Sequence, residues 1–197
     1  MIHPAYNLFL AIYLAHLLTD FVFQTSRLVS KKRRGDWHGY AIHGVTHYVL
    51  VLATVALADP HRFPTPSFHL VAVSLSVIHL LVDWAKVSST KSRLLPDNAL
   101  VFLLDQAIHL LTVIGAVFFL VHPSVQTFIF WLTRIRSLQE KILLVSVVYV
   151  SVIFGGGYLI RTLIAPLWKE EQGKETKEHE EVINAGLLSA GRNDFLY

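Results

Sequence analysis

The sequence predicts an all-α fold: a polytopic membrane helix bundle of about five transmembrane helices plus an interfacial helix. Three observations carry that expectation. Hydrophobic residues make up 53% of the chain against 16% charged, and mean hydropathy is +0.50. The apolar residues fall in long blocks, and about 20 of them in a row span the ~30 Å hydrocarbon core as a helix. Lys and Arg collect between alternate blocks, the asymmetry that orients membrane proteins.

In chain order, spans are expected near 5–24, 40–58, 68–85, 98–121 and 141–160. No Lys or Arg precedes the first and no small-residue cleavage pattern follows it, so it reads as a retained helix and not a signal peptide. The segment 124–135, after His122 and Pro123, is too short to cross and is expected at the interface. Gly155, Gly156 and Gly157 in the fifth span permit close helix approach or a local kink. They lack the preceding strand of a phosphate loop, so nucleotide binding is not expected. Residues 1–168 form the bundle, and 169–197 read as a charged cytoplasmic tail, solvated over Lys169 to Glu181 and mildly apolar over Val182 to Leu188. Trp37, Trp84, Trp131 and Trp168 fall near span ends, where indoles prefer to sit.

The first loop carries Arg27, Lys31, Lys32, Arg33 and Arg34, the third Lys86, Lys91 and Arg93, and the segment after the fifth span Arg161, Lys169, Lys174, Lys177 and Arg192. Placing these in the cytoplasm puts 13 of the 17 basic residues inside, with the N-terminus outside and the C-terminus inside. Arg134, Arg136 and Lys141 oppose that orientation. The Lys31 to Arg34 run is a topology signal and a feature able to attract anionic headgroups.

Within the greasy segments lie four i,i+4 pairs: His16 and Asp20, His43 and His47, His79 and Asp83, Asp105 and His109. Residues four apart share a helix face. Alternating spans put all eight within roughly 3 to 16 Å of one membrane face at 1.5 Å per residue. Ionisable groups at that depth are expensive and face a bundle interior or a wet cavity. A single pair is explained by interhelical hydrogen bonding alone; four pairs in one layer point to an enclosed polar site. The chain has no cysteine, which excludes thiolate ligands, disulfides and cysteine nucleophiles. Imidazole and carboxylate suit a divalent transition metal, Zn, Fe or Mn. Eight candidate ligands exceed one tetrahedral ion, so two ions, or one ion with an outer layer of orienting residues, are expected. His16, Asp20, His43, His47, His79, Asp83, Asp105 and His109 are the candidate ligands. Asp20, Asp83 and Asp105 are the candidate catalytic carboxylates, as ligand, bridge or general base. Gln24 and Gln106 are candidates to hydrogen-bond a ligand or substrate.

The strings AHLLTDFVFQT (15–25), HGVTH (43–47), HLLVDWAK (79–86) and LLDQAIH (103–109) resemble the motifs of an uncharacterised bacterial family of small polytopic membrane proteins, classed as a domain of unknown function. The resemblance covers roughly residues 8 to 120. It implies a membrane bundle with His and Asp signatures at the residues named above and brings no activity with it. Ala190, Gly191 and Arg192 resemble a point at which family members continue further. The His-x-x-x-Asp spacing is also similar to that of predicted membrane-bound metal-dependent hydrolases.

The leading expectation is therefore an integral protein of the bacterial inner membrane. It would be a metal-dependent hydrolase of a lipid or anionic membrane-proximal substrate, with membrane lipids as partners and no nucleic acid. Three alternatives stand beside it. A metal-ion or proton transporter would need a homo-oligomer to enclose a path. A b-type haem protein with paired histidines would leave three Asp residues unused. In a structural or accessory subunit the polar pairs would only hold helices together.

Overall fold

The computed structural model describes residues 4–132, 137–164 and 168. Among them there is no strand. The helices are α1 (Pro4–Leu17), which runs into a π-helical turn (Leu18–Val22), α2 (Ser26–Arg34), α3 (Trp37–Ala58), α4 (Pro66–Lys91), α5 (Ala99–Val121), α6 (Val125–Leu132) and α7 (Leu138–Val150), which continues into a second π-helical segment (Ser151–Gly155). Five helices are long and apolar enough to cross a membrane: Ala5–Val22, Trp37–Ala58, Pro66–Lys91, Ala99–Val121 and Leu138–Ile164. The expected charged tail from 169, together with Arg134 and Arg136, lies outside the described residues. The chain divides into two compact units, 1–157 and 158–197; in the second, residues 158–164 are helical.

In the first unit α1 packs against α3, α5 and α7, α3 packs on α4, and α4 on α5. The contacts close a ring of α1, α3, α4 and α5, with α7 against the outside of α1. The span containing α1 has 67% of its residues buried, against 11% for the span beginning at Leu138. That ranking follows from side-chain size: Ala5, Ala11 and Ala15 are fully buried along α1, and small residues let helices approach without a solvophobic drive. Elsewhere the large apolar residues point outward, among them Val45, Val49, Leu70, Val77, Leu81, Leu103, Leu111 and Val145. So much exposed apolar surface far exceeds what a monomer carries in water, and it suits a hydrocarbon solvent.

One half of the ring is filled by an apolar core of Leu8, Ile12, Val51, Val55, Phe68, Ala72, Val113 and Val117. Its outer end is tied by side chains that satisfy helix-terminal carbonyls, as a low-dielectric setting requires. Gln139 Nε2 donates to the Leu57 and Ala58 carbonyls at 3.2 and 2.9 Å, and an Arg62 guanidinium nitrogen donates to the Leu120 carbonyl at 3.2 Å. α5 stops at His122, whose φ of +49° is left-handed, and Pro123 bars continuation. α7 begins with a capping box between Ser137 and Glu140.

The other half holds the polar residues and is covered by α2, which lies against α3 and α4. The sequence reading takes this stretch as a loop; it is a helix because Thr25 caps its start, accepting from the Leu28 amide, and Gly35 at φ +80° ends it. Leu28 and Lys32, four apart, are the face it buries. Asp36 then caps α3, and the ring and backbone N–H of His38 at 3.0 Å hold its carboxyl below the ordinary carboxylate range. Gly39 lets α2 settle, because a Cβ there would lie 2.9 Å from Lys31 Cβ and 3.2 Å from the Lys32 amide nitrogen. Gly39→Val is therefore expected to lift α2. Lysine acetylation followed by mass spectrometry reads this: Lys32, slow to react in the parent, reacts at least fivefold faster in the variant while Lys31 is unchanged. Equal protection of Lys32 would show that Gly39 does not set the α2 position.

Candidate metal centre

All eight candidate ligands meet in one layer of the ring. α1 supplies His16, the π turn Asp20, α3 His43 and His47, α4 His79 and Asp83, and α5 Asp105 and His109. All but Asp20 are buried as whole residues, and the Asp20 side chain is 8% exposed. The first pair departs from regular helix: the π turn widens the backbone at Leu18–Val22. His16 Nδ1 remains 3.9 Å from Asp20 Oδ2, while Asp20 Oδ1 lies 3.2 Å from both His43 Nε2 and His79 Nε2. π turns inside α-helices recur at functional sites.

The residues fall into three overlapping groups whose ligand atoms lie within 4.8 Å of one another: Asp20, His43, His79 and Asp83; Asp83, Asp105 and His109; and His16, His79 and His109. The first has four donors. His43 Nε2 is 2.9 Å from His79 Nε2 and 3.0 Å from Asp83 Oδ2. An ion with tetrahedral bonds of 2.0–2.1 Å sets neighbouring donors about 3.3 Å apart, and these edges of 2.9 to 3.2 Å are of that size. Asp83 joins two groups: Oδ2 faces His43, and Oδ1 lies 3.6 Å from His109 Nε2. His109 Nε2 is also 3.7 Å from Asp105 Oδ1, and its Nδ1 is 3.2 Å from His79 Nδ1. Asp20 Oδ1, Asp105 Oδ1 and His109 Nε2 are buried without a hydrogen bond of good geometry. Buried donors and acceptors are normally paired, so orphans converging here fit a cation. The groups can hold a metal ion.

His47 stands apart from all three groups. Its Nδ1 pairs with the Ser76 hydroxyl at 2.9 Å, and its ring stacks on His79 with centroids 4.4 Å apart. It sits where a residue orients a ligand. The two glutamines also lie next to the ligands. Gln106 Nε2 donates to Asp105 Oδ2 at 3.2 Å, and its Oε1 is 3.4 Å from His16 Nε2. Gln24 accepts from Lys32 Nζ.

Two lysines complete the cluster; the sequence reading gives Lys86 a topological role and Lys32 a topological or headgroup-attracting one, and neither a place beside the ligands. Lys32 Nζ donates to Asp83 Oδ2 at 2.6 Å with a side chain 5% exposed, and Lys86 Nζ donates to Asp105 Oδ2 at 2.7 Å. Lys86 follows Asp83 by one helical turn, a spacing that could have drawn attention to it. For Lys32 the signal is fainter, its i,i+4 relation to Leu28. Ser76, one turn before His79, carried no signal beyond that spacing. An ammonium 2.6 Å from a ligand oxygen repels a cation, so Lys32→Met is expected to tighten divalent metal binding about tenfold, read by competition with a chromophoric chelator. Weaker binding would mean that Lys32 supports the site.

Gly44 brings α3 and α4 together beside the His43 and His79 contact, since a Cβ would stand 2.5 Å from Leu80 Cδ1. The glycines Gly155, Gly156 and Gly157, expected to allow close approach or a kink, lie at the end of a π segment and the start of the regular helix after it. Gly155 ends a π segment with Phe21 ring atoms an ordinary 3.6 Å from where its Cβ would be.

No curated protein and no solved structure gives a significant match to the chain. A family described as "Protein of unknown function (DUF3307)" matches residues 8–139, a stretch that contains all eight clustered residues and both glutamines. On that match the chain belongs to this family of unknown function.

Proposed function

We propose that the protein is a metal-dependent hydrolase of the membrane. It acts on a lipid or other membrane-proximal substrate reaching the cluster from the α2 end; the basic-residue bias favours a cytoplasmic position for that end, and we take the membrane to be a bacterial inner membrane. The observation that carries the reading is the division of Asp83, with one oxygen on His43 and the other toward His109. A carboxylate so placed is suited to join two ligand groups. Asp20, His43, His79 and Asp83 would hold one ion, and Asp83, Asp105 and His109 can take a second. A bound divalent ion would lower the pKa of water toward 7 and so supply hydroxide at neutral pH. The chain does the rest: His47 and His16 orient the rings around His79, Gln106 and Lys86 fix Asp105, and the surrounding apolar packing keeps out bulk water.

Charge balance supports the same chemistry. With neutral imidazoles, the three carboxylates and two ammonium groups leave one net negative charge. One divalent ion reverses it and a hydroxide cancels the remainder, whereas a second ion would leave two positive charges for an anionic substrate to meet. Near-neutrality matters where the dielectric is low. Imidazole and carboxylate donors favour Zn, Fe or Mn.

Packing weighs against a transport path. Besides the cluster and Lys32, the buried polar residues among those described are Asn7, Thr19, Ser76 and Glu140. Ser76 belongs to His47, and Thr19 donates to its own helix at the Ala15 carbonyl. Glu140 is engaged in the Ser137 capping box, Asn7 is left on α1, and the half of the ring beyond is filled by the apolar core; that packing supports a site with one entrance.

Elemental analysis of protein purified in detergent is expected to find at least one equivalent of Zn, Fe or Mn. His79→Ala and Asp83→Asn should abolish it, while His47→Ala should weaken binding about tenfold, as outer positions do. A folded protein that neither carries nor rebinds such an ion would sink the reading, and a haem absorbance band would replace it with a redox one. Hydrolysis is checked by product release from radiolabelled membrane lipids, lost on chelation and restored by the metal. Metal-dependent ion flux in liposomes without lipid turnover would point to transport instead.

A further inference from the structure

We infer that the cleft between α2, α3 and α4 binds the phosphate of an anionic phospholipid headgroup and presents it to the metal centre. The presentation rests on the hydrolase reading; the binding does not. The cleft has a volume of about 360 Å³ and is lined by Lys32, Arg33 and Lys91, with no acidic residue among its lining, beside Trp37, Tyr40 and Trp84. That volume falls in the range of small-molecule sites. Arg33 and Lys91, with no carboxylate in the lining, favour an anion, and Lys32 stands behind them with its ammonium on Asp83. Arg33 pairs with Asp97 at 2.8 Å, but both side chains are at least half exposed, and such a pair is worth ~0–1 kcal/mol. A phosphate offering two oxygens to the guanidinium fork competes well with it.

The aromatic rim argues for a lipid over a free ion. Trp37 and Trp84 are 68% and 56% exposed, far more than a fold would leave in water without a use for them, and indoles settle where headgroups meet acyl chains. Inorganic phosphate has nothing to gain from either ring.

Lys32 links the cleft to the chemistry. It lines the cleft, yet its ammonium binds Asp83 Oδ2 at 2.6 Å and Gln24. A phosphate held by Arg33 and Lys91 is therefore one side chain away from the carboxylate shared by the two ligand groups. An incoming anion gives Lys32 an alternative partner and frees the Asp83 oxygen.

The test uses full-length protein carrying Trp131→Phe and Trp168→Phe, so that Trp37 and Trp84 alone report, in micelles with brominated phosphatidylglycerol or brominated phosphatidylcholine. Quenching is expected to give phosphatidylglycerol at least a fivefold higher relative binding constant. Arg33→Gln with Lys91→Gln should bring the preference below twofold, and Lys91→Gln alone should lower it by about half, with metal content and thermal midpoint unchanged. Equal quenching by the two lipids would overturn the inference. So would a preference surviving in the double variant, or one abolished by millimolar inorganic phosphate. The measurement is repeated after chelation, so that a failed turnover assay leaves the binding result standing and failed binding leaves the turnover assay standing.

Discussion

A charged side chain placed alone at the centre of a bilayer costs about 2.5–3.5 kcal/mol even on the most lenient scale, and this bundle encloses three aspartates and a lysine in its interior. Every one of them is answered from another helix. Asp20 faces His43 and His79, Asp83 faces His43 and Lys32, and Asp105 faces Lys86. Mutual satisfaction of these groups forces α1, α3, α4 and α5 into one ring with their polar faces level. The register of each helix is fixed by it, since turning any one by a residue would carry its own Asp or His out of the cluster and leave the groups that face it unpaired.

Much of the rest follows from that requirement. α2 folds back over the ring because Asp83 needs a cation from that side, and Gly39 gives its backbone room. The two halves of the ring differ for the same reason. One is dense, apolar and closed at its end by Arg62 and Gln139 on carbonyls, and the other is polar and roofed by a short basic helix. Function, if hydrolytic, then has a single side from which to be served.

The bundle class and the meeting of the eight polar residues were legible in the sequence, because apolar block length and i,i+4 spacing are local properties and alternation converts them into depth. The partition of those eight was not. His43 and His47 look equivalent as a pair, yet Ser76 captures His47 while His43 turns toward two aspartates, a difference set by a neighbour 29 residues away in the chain. Nor could the π turn be read, since LTDFV has nothing to distinguish it from regular helix. It arises from where Asp20 must point. Lys32 stood in a run of four basic residues that topology and attraction of anionic headgroups already explain, and only the position of Asp83 reveals that one of them is buried.

The burial of α1 bears on how the protein is made. The most buried wall of the ring also precedes α3, α4 and α5 in the chain, so it leaves the ribosome before they exist to receive its polar face. For that interval His16 and Asp20 have only each other, 3.9 Å apart, and apart from Asn7 the rest of α1 offers lipid mainly alanine, leucine and aromatic surface. Biogenesis thus asks the most buried helix to wait: α1 gains its partners only as α3, α4 and α5 follow and close the ring.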